Sequence, residues 1–206
     1  MVIKNKIKSW GVKMLNKVGT KLIETERLIL RKFTLDDSET VFKNWASDEE
    51  GQSLYCEPAY KTKESVDKLL IDKYIANYKD DNYYRWAIIL KNNNECIGQI
   101  AYFSVNDENN FAEIEYCVGK EFQGHGYATE ACKAVIGFGF NEMKLHKVQI
   151  CHMEINNKSK RVIEKCGLTY EGTLRDFFYD KKNDKYISRL YYSILKSEYD
   201  KMKNKQ

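Results

Sequence analysis

The chain has 206 residues and a formal net charge of +4 at pH 7, which suit one domain with a single core and give no reason to expect nucleic acid as a partner. Six cysteines without a CxxC pair and three histidines predict reduced thiols in a cytoplasmic protein and no metal site. Charged residues make up 31% of the chain and interrupt every apolar run, so we expect no membrane span.

Residues 1–21 form a basic segment with six lysines and no acidic residue. Its apolar residues recur near helical spacing, which would suit an amphipathic helix on a membrane surface. An unsupported terminus is more often a poorly ordered extension, and we favour that interpretation. The domain is therefore expected to span residues 22–196, followed by a charged tail over residues 197–206 that frays.

The hydrophobic pattern predicts strands and helices in the following order. A strand is expected over residues 23–33, a helix over 35–47 after Thr34, a loop over 48–60, and a helix over 62–79 capped by Thr62. Three strands follow over residues 84–90, 96–105 and 111–118, joined by polar turns that predict antiparallel pairing. The first part of the domain is thus two helices packed near an antiparallel meander.

After the meander, a helix over residues 129–142 leads to a strand over residues 147–155. A strand reached through a helix pairs parallel to its neighbour, so this pair is predicted to be parallel. A helix over residues 156–166 ends at Gly167, and a hairpin over residues 168–176 and 186–196 closes the domain. The fold class is α+β, with a mixed sheet.

Two glycines, Gly124 and Gly126, lie in the turn between the strand at residues 111–118 and the helix that follows. Glycine takes positive φ easily and leaves no Cβ between the backbone and a ligand. The first amides of a helix have no intrahelical partner and lie at the positive end of the helix dipole. The turn could be an ordinary tight turn, but it also predicts a site for a phosphate group.

Three segments together resemble a known family. The turn, Gln123-Gly124-His125-Gly126-Tyr127-Ala128, resembles the Q/R-x-x-G-x-G/A signature of the GNAT superfamily of N-acetyltransferases. Residues 156–168, NNKSKRVIEKCGL, resemble the N-x-x-S-x-x-V-x-E-K-x-G-F/L motif of the subgroup that contains the ribosomal-protein-alanine N-acetyltransferases. Residues 23–31, IETERLILR, are similar to the opening strand of that subgroup.

The resemblance implies a twisted mixed sheet with helices on both faces, whose two central parallel strands splay apart to admit acetyl-CoA. It implies that the turn amides hold the pyrophosphate, that the strand before the turn pairs with the pantetheine arm, and that Asn156 contacts a pantetheine amide. The residues implied in acetyl-CoA binding are Cys117, Val118, Gln123, Gly124, His125, Gly126, Tyr127, Ala128, Thr129, Asn156 and Ser159.

The catalytic acid is the point at which the sequence departs from the family. Many members have a tyrosine in the helix after the second parallel strand, but Ile163 occupies that position here and cannot donate a proton. The ribosomal-protein subgroup has a serine three residues after the asparagine, so the resemblance transfers the role to Ser159. Ser159 could equally be a capping residue in the first turn of the helix.

Glu113 and Glu115 are the candidate bases. They are two residues apart on one strand, so they project from the same face about 7 Å apart, and Glu115 is nearer to Cys117 and Val118. Either could instead reach solvent at the rim of the sheet. His152 on the neighbouring strand is the rival base, although a lone histidine of this kind is more often a core residue.

The leading interpretation is an acetyltransferase that uses acetyl-CoA and an amine acceptor, most simply the N-terminal α-amine of a protein such as a ribosomal protein. Polyamines and aminoglycosides remain open as acceptors, and the missing tyrosine leaves open a non-catalytic acetyl-CoA sensor. P-loop and dinucleotide-binding folds are disfavoured, because G-x-x-x-x-G-K-[ST] and G-x-G-x-x-G are absent. Either a monomer or a homodimer is expected.

Overall fold

The structure, a computed structural model, describes residues 15–55, 57–181 and 183–204. The expected N-terminal extension therefore falls mainly on residues 1–14, outside the described residues. The part that is described packs against the domain: Leu15 is buried, and the amide of Asn16 donates to Met143 O at 2.9 Å. The indole of Trp86 donates to Lys21 O at 2.6 Å, so this segment contributes to the core of the domain.

A single eight-stranded sheet runs through the described part of the chain, in the order β1-β2-β3-β4-β5-β6-β8-β7. All neighbouring strands are antiparallel except β5 and β6, which confirms the predicted parallel pair. The strands are β1 (Ile23–Glu24), β2 (Leu28–Arg31), β3 (Tyr84–Leu90), β4 (Cys96–Asn106), β5 (Phe111–Val118), β6 (Lys147–Met153), β7 (Thr169–Asp180) and β8 (Lys185–Leu195).

Helices accompany both faces of the sheet. They are α1 (Ser38–Val41), α2 (Glu49–Tyr55), α3 (Lys63–Leu69), α4 (Tyr127–Phe138), α5 (Asn157–Lys165) and α6 (Lys196–Lys203). Single turns of 3₁₀ or π geometry extend some of them, over Leu35–Asp37, Phe42–Ala46, Leu70–Tyr74, Ile75–Lys79 and Gly139–Met143.

Two hydrophobic clusters pack against opposite faces of the sheet. The larger lies against α4 and includes Trp86 and Ile88 of β3, whereas the smaller lies against α1 and α3 and includes Ala87 and Ile89. Successive residues of a strand point to opposite faces, so β3 contributes to both cores and is apolar along its length. The predicted α+β fold with helices on both faces is confirmed.

The central parallel strands separate part of the way along their length. Four residues of β5, Phe111 to Ile114, pair with Lys147 to Ile150 of β6. Beyond this point Glu115 to Val118 pair with β4, while Cys151 to Met153 pair with β8. The two strands therefore diverge, and the expected splay is present. The gap between residues 115–118 and residues 151–153 is called the splay below.

Three segments differ from the sequence predictions. The expected strand over residues 23–33 is two short strands, because the Thr25 amide donates to Leu28 O at 3.0 Å and closes a turn. The expected loop over residues 48–60 contains α2, whose buried residue is the polar Gln52. The tail expected to fray forms α6, where Tyr199 packs on Phe140 with ring centroids 4.9 Å apart.

Candidate functional site

The glycine turn follows β5 directly and begins α4. Gly124 and Gly126 both have a φ of +85°, and Gly126 is the N-cap of α4. A Cβ at Gly124 would meet no atom within 4 Å, and one at Gly126 would lie 3.4 Å from Arg27 Nη2. The amides of Tyr127, Ala128 and Thr129 form the first turn, where helical amides have no intrahelical partner. The turn therefore has the geometry that an anion site requires.

Two side chains fix the turn relative to its surroundings. Gln123 Nε2 donates to Val118 O at 2.9 Å, while Gln123 Oε1 accepts from Lys158 Nζ at 2.7 Å, which connects β5 to the first turn of α5. Arg27 donates through Nη1 to His125 O at 3.0 Å and lies over the Tyr127 ring at 4.6 Å. Arg27 and Lys158 are distant from the turn in sequence, and no sequence pattern predicted them as its neighbours.

A recess of about 340 Å³ lies beside the turn, against Gly126 and Thr129. Its charged lining residues are Glu26, Arg27, Glu130, Lys133 and Lys165. Glu130 is already paired with Arg27, at 2.7 Å. Cationic groups thus outnumber the carboxylates in this recess, which makes it a favourable place for a phosphate.

Cys117 and Val118 lie at the end of β5, on the part of the strand that pairs only with β4. A Cβ at Gly98 of β4 would lie 2.1 Å from Cys117 O, so this pairing requires glycine. Burial raises the pKa of the Cys117 thiol to about 12, which keeps it a thiol near neutral pH. These two residues pair with β4 alone, so no strand pairs with the side of β5 that faces the splay.

Asn156 and Ser159 meet at the start of α5. Asn156 is the N-cap, and its Oδ1 accepts from the Ser159 amide at 3.0 Å. The Ser159 hydroxyl is buried and lies 2.7 Å from the Tyr116 hydroxyl. Ile163, at the position where the family often has a tyrosine, is fully buried. Asn156 is therefore the capping residue of this turn and Ser159 supplies the capped amide, while the Ser159 hydroxyl has a separate partner in Tyr116.

Glu115 belongs to a hydrogen-bonded network across three strands. Arg85 Nη2 of β3 donates to Glu115 Oε1 at 2.6 Å, and Arg85 Nη1 donates to Gln99 of β4. Gln99 Nε2 in turn donates to the Tyr55 hydroxyl at 2.9 Å. The guanidinium also lies 4.6 Å over the ring of Tyr74. Glu115 is thus held in a fixed position and does not reach freely into solvent.

Glu113 has a second arginine on the other side of the splay. Arg189 Nη2 of β8 donates to Glu113 Oε1 at 2.9 Å, and Arg189 Nε donates to Cys151 Sγ at 2.8 Å. Three aromatic rings surround the guanidinium at centroid distances of 4.9 to 5.8 Å, those of Phe177, Phe178 and Tyr191. The two glutamates share a face, as the alternation predicted, but each belongs to a different ion pair.

A cavity of about 220 Å³ opens beside Glu115, between the sheet and the helices of the first half of the chain. Its aromatic lining residues are Trp45, Tyr55, Tyr60, Tyr74 and Tyr83. Its charged lining residues are Glu57, Lys73, Arg85 and Glu115, two carboxylates and two cations. Because these residues come from distant segments, only Glu115 among them was predicted from the sequence as a site residue.

His152 lies on the opposite face of the sheet from the two glutamates. The register pairs Glu113 with Gln149, so residue 152 shares a face with Ile114 and Tyr116. Its Nδ1 lies 2.7 Å from Met153 O, its ring stacks on Tyr192, and burial lowers its pKa. The structure therefore does not bring His152 together with the carboxylates, and it is a core histidine.

No helix in the described ranges is both long and apolar enough to cross a membrane. Within the same ranges, no group of three or more His, Cys, Asp or Glu side chains is arranged to hold a metal ion.

Comparison with known families identifies the family to which this chain belongs. The family profile for the acetyltransferase (GNAT) domain matches residues 27–169. The chain belongs to the GNAT acetyltransferase family. It is therefore an acyl-transfer enzyme, and the resemblance seen in its three sequence motifs is confirmed.

Curated relatives differ in the acceptors that their names give. The uncharacterised N-acetyltransferase p20 of Bacillus licheniformis is 30% identical over 85% of this chain and 96% of its own length. A candidate ribosomal N-acetyltransferase, YdaF of Bacillus subtilis, is 39% identical over 50% of this chain and 55% of its own length. The spermidine N(1)-acetyltransferase of Vibrio cholerae is 29% identical over 66% of this chain and 76% of its own length.

Solved structures show the same fold. A GNAT-family acetyltransferase from Bacillus anthracis is 29% identical, has a TM-score of 0.75, and is matched over 86% of this chain and 100% of its own. The spermidine N-acetyltransferase of Vibrio cholerae in complex with CoA and spermine has a TM-score of 0.72 at 22% identity, over 85% of this chain and 99% of its own.

Proposed function

We propose that this acetyltransferase transfers the acetyl group of acetyl-CoA to the N-terminal α-amine of a protein, such as a ribosomal protein. The observation that carries the donor half is the glycine turn at the end of a splayed parallel strand. The acceptor half rests on the charge of the cavity beside Glu115 and on the similarity to a candidate ribosomal N-acetyltransferase. The free thiols of the five described cysteines are in keeping with a reaction in the cytoplasm.

The phosphates of acetyl-CoA would bind at the glycine turn. Backbone amides from Gln123 to Ala128 and the hydroxyl of Thr129 supply donors, and the helix dipole favours the negative charge. Arg27, Lys133 and Lys165 add cationic charge from the adjoining recess. His125 is exposed at the turn and stacked on Tyr127 at 5.7 Å, where it can approach a phosphate.

The pantetheine arm would pair with β5 at Cys117 and Val118, on the side where the strand has no partner strand, as an added strand does. Asn156 lies at the start of α5, where its side-chain amide can contact a pantetheine amide while its Oδ1 caps the helix. This path directs the thioester into the splay, with Ser159 on one side and the face of Glu115 beyond it. Acetyl-CoA supplies the acetyl group and leaves as CoA.

Glu115 would act as the base, directly or through a water, because of the two carboxylates on β5 it is the one that lines the cavity. A carboxylate can remove the proton of the acceptor if that acceptor is an α-amine. At pH 7 an α-amine with a pKa of ~7.7–8.0 loses its proton at a cost of about 1 kcal/mol, whereas a lysine at ~10.4 costs about 4–5 kcal/mol. Glu113 is the second carboxylate on this face, and Arg85 and Arg189 fix the positions of the pair.

The charge of the cavity favours an acceptor with one ammonium group. Its two carboxylates, Glu57 and Glu115, are balanced by Lys73 and Arg85, so no excess negative charge is present. A polyamine or an aminoglycoside would bring several positive charges next to a buried guanidinium, and like charges that are close together repel. A peptide N-terminus brings one charge, which disappears when the amine loses its proton.

Spermidine is the second candidate acceptor. A relative that carries this activity in its name matches two thirds of the chain, and tyrosine rings of the kind that line the cavity bind cations well. Because the cavity carries no excess negative charge, we favour the α-amine over spermidine.

The test compares kcat/KM for three acceptors by release of the CoA thiol: a peptide with a free N-terminus, the same peptide with a blocked N-terminus, and spermidine. We expect the free peptide to exceed both others by at least about tenfold, the effect of about 1.4 kcal/mol in transition-state binding. Equal rates for the free and blocked peptides, or a preference for spermidine, would refute the acceptor assignment.

A further inference from the structure

A hydrogen bond between Tyr116 and Ser159 bridges the two sides of the splay. Tyr116 belongs to the part of β5 that no longer pairs with β6, and Ser159 lies in the first turn of α5, which follows β6. Their hydroxyl oxygens are 2.7 Å apart. The bridge therefore lies at the opening that is proposed to receive the thioester.

The proton arrangement of this bridge has two possibilities, because either hydroxyl can be the donor. In the first, Tyr116 donates to Ser159 Oγ and leaves the serine proton free for another acceptor. In the second, Ser159 donates to Tyr116, whose proton then goes to Ser159 O at a longer distance of 3.3 Å. A negatively charged atom in the splay selects the first arrangement, because only there can the serine hydroxyl donate to it.

We propose that Tyr116 is a positioning residue that directs the Ser159 hydroxyl toward the sulfur of CoA as the thioester breaks. The inference rests on the proposed acetyl transfer from acetyl-CoA. In that reaction a bond forms between the amine nitrogen and the carbonyl carbon, and the carbon–sulfur bond breaks with its electron pair left on sulfur. Ser159 donates a hydrogen bond to that sulfur, and the proton that the amine loses balances the one that CoA gains from solvent.

Tyr116 acts as a hydrogen-bond donor and not as the source of the proton. Its hydroxyl is buried, and burial raises its pKa well above 10, so it keeps its proton during the reaction. A donor to Ser159 Oγ polarises the serine hydroxyl and strengthens the bond that it donates in turn. The donor also stops that hydroxyl from turning back to a helix carbonyl, a common alternative for serine in a first turn.

The pKa of the CoA thiol in the binary complex tests this role without turnover. It can be followed by the ultraviolet difference absorbance of the thiolate during a pH titration. Ser159→Ala is expected to raise the thiol pKa by about one unit, a tenfold loss, since it removes a hydrogen bond to a charged atom. Tyr116→Phe is expected to lower the ionisation constant of the thiol about threefold, which raises its pKa by about half a unit. The serine can still donate in this variant but is no longer oriented.

The double variant decides whether Tyr116 works through Ser159. If it does, Tyr116→Phe in the Ser159→Ala background changes neither the thiol pKa nor kcat further. Tyr102→Phe is the matched control: Tyr102 is a buried tyrosine of β4 whose hydroxyl donates to Val135 O at 2.9 Å, away from the splay. The control should lose stability but leave the thiol pKa unchanged.

A thiol pKa in Tyr116→Phe equal to that of the wild type would overturn the proposal, and so would additive effects in the double variant. Wild-type protein that binds CoA and shifts its thiol as described, but acetylates no α-amine, would instead contradict the acceptor assignment alone. Wild-type protein that does not bind CoA would overturn both the positioning role of Tyr116 and the proposed acetyl transfer.

Discussion

Replacement of Glu115 by glutamine removes one charge while it keeps the shape of the side chain. The amide oxygen can still accept from Arg85, so a charge-assisted hydrogen bond of about 1.5–3 kcal/mol becomes a neutral one of about 0.5–1.5 kcal/mol. The expected destabilisation is therefore about 1–2 kcal/mol, or a decrease in melting temperature of about 2–8 °C for a chain of this size. The fold should persist.

Turnover should change far more than stability. Loss of a general base lowers kcat by about 10²–10⁴, with little effect on the affinity for acetyl-CoA. Activity of Glu115→Gln should recover as pH rises, because the amine then loses its proton unaided. The recovery should be nearly complete near pH 9 for an α-amine with a pKa of ~7.7–8.0, and poor for a lysine side chain at ~10.4.

Glu113→Gln provides the matched control, since Glu113 lies on the same strand and face. Its ion pair with Arg189 is 2.9 Å long, compared with 2.6 Å for Glu115 with Arg85, and all four side chains are at least three quarters buried. The two variants should lose similar stability, measured by thermal unfolding, but only Glu115→Gln should lose most of its turnover, measured by thiol release. Equal activity of Glu115→Gln and wild type across pH would remove Glu115 from the mechanism.

Three further predictions concern the donor site, the N-terminal segment and pH. Gly126→Ala should abolish stabilisation by acetyl-CoA. Gly19→Ala is the control: Gly19 also has a positive φ, +63° compared with +85° at Gly126, and the same nearest Cβ contact of 3.4 Å, so it should cause a similar strain of about 1–2 kcal/mol and leave the affinity unchanged in a thermal-shift titration. Removal of residues 1–13 should leave turnover unchanged. Removal of residues 1–21 should lower the melting temperature by several degrees, because the indole of Trp86 loses its acceptor, Lys21 O. Equal melting temperatures of the two truncated chains would contradict this. Burial lowers the pKa of His152, so as pH decreases below about 6.5 the unfolded chain binds this proton first and the free energy of unfolding falls. His152→Phe should flatten this part of the pH dependence of the unfolding free energy. An unchanged slope in this variant would argue against a role of His152 in the pH dependence.

The features that the sequence predicted are local ones. The glycine turn depends on two glycines between a strand and a helix, and the shared face of Glu113 and Glu115 depends on the two-residue period of a strand. The parallel pairing of β5 and β6 follows from the helix between them. Each of these can be read from neighbouring residues, and the structure contains all three.

The features that the sequence did not predict depend on contacts between distant segments. Arg85 is 30 residues from Glu115, and Arg189 is 76 residues from Glu113, so the partners are set by the register of β3 and β8 in the sheet. Helix α2 was missed because its buried side chain is Gln52, which donates to Trp45 O at 3.1 Å and gives no apolar period. Helix α6 carries only Tyr199 and Met202 as a signal, three residues apart among charged neighbours.

The most direct test of the central claim is the position of the acetyl group on a peptide that offers both kinds of amine. A peptide with a free N-terminus and one internal lysine is incubated with the protein and acetyl-CoA, and the product is mapped by tandem mass spectrometry. The account predicts one acetyl group, on the N-terminal nitrogen, and the same reaction with Glu115→Gln only at raised pH. Acetylation confined to the lysine, or a product that forms equally fast without the protein, would contradict it.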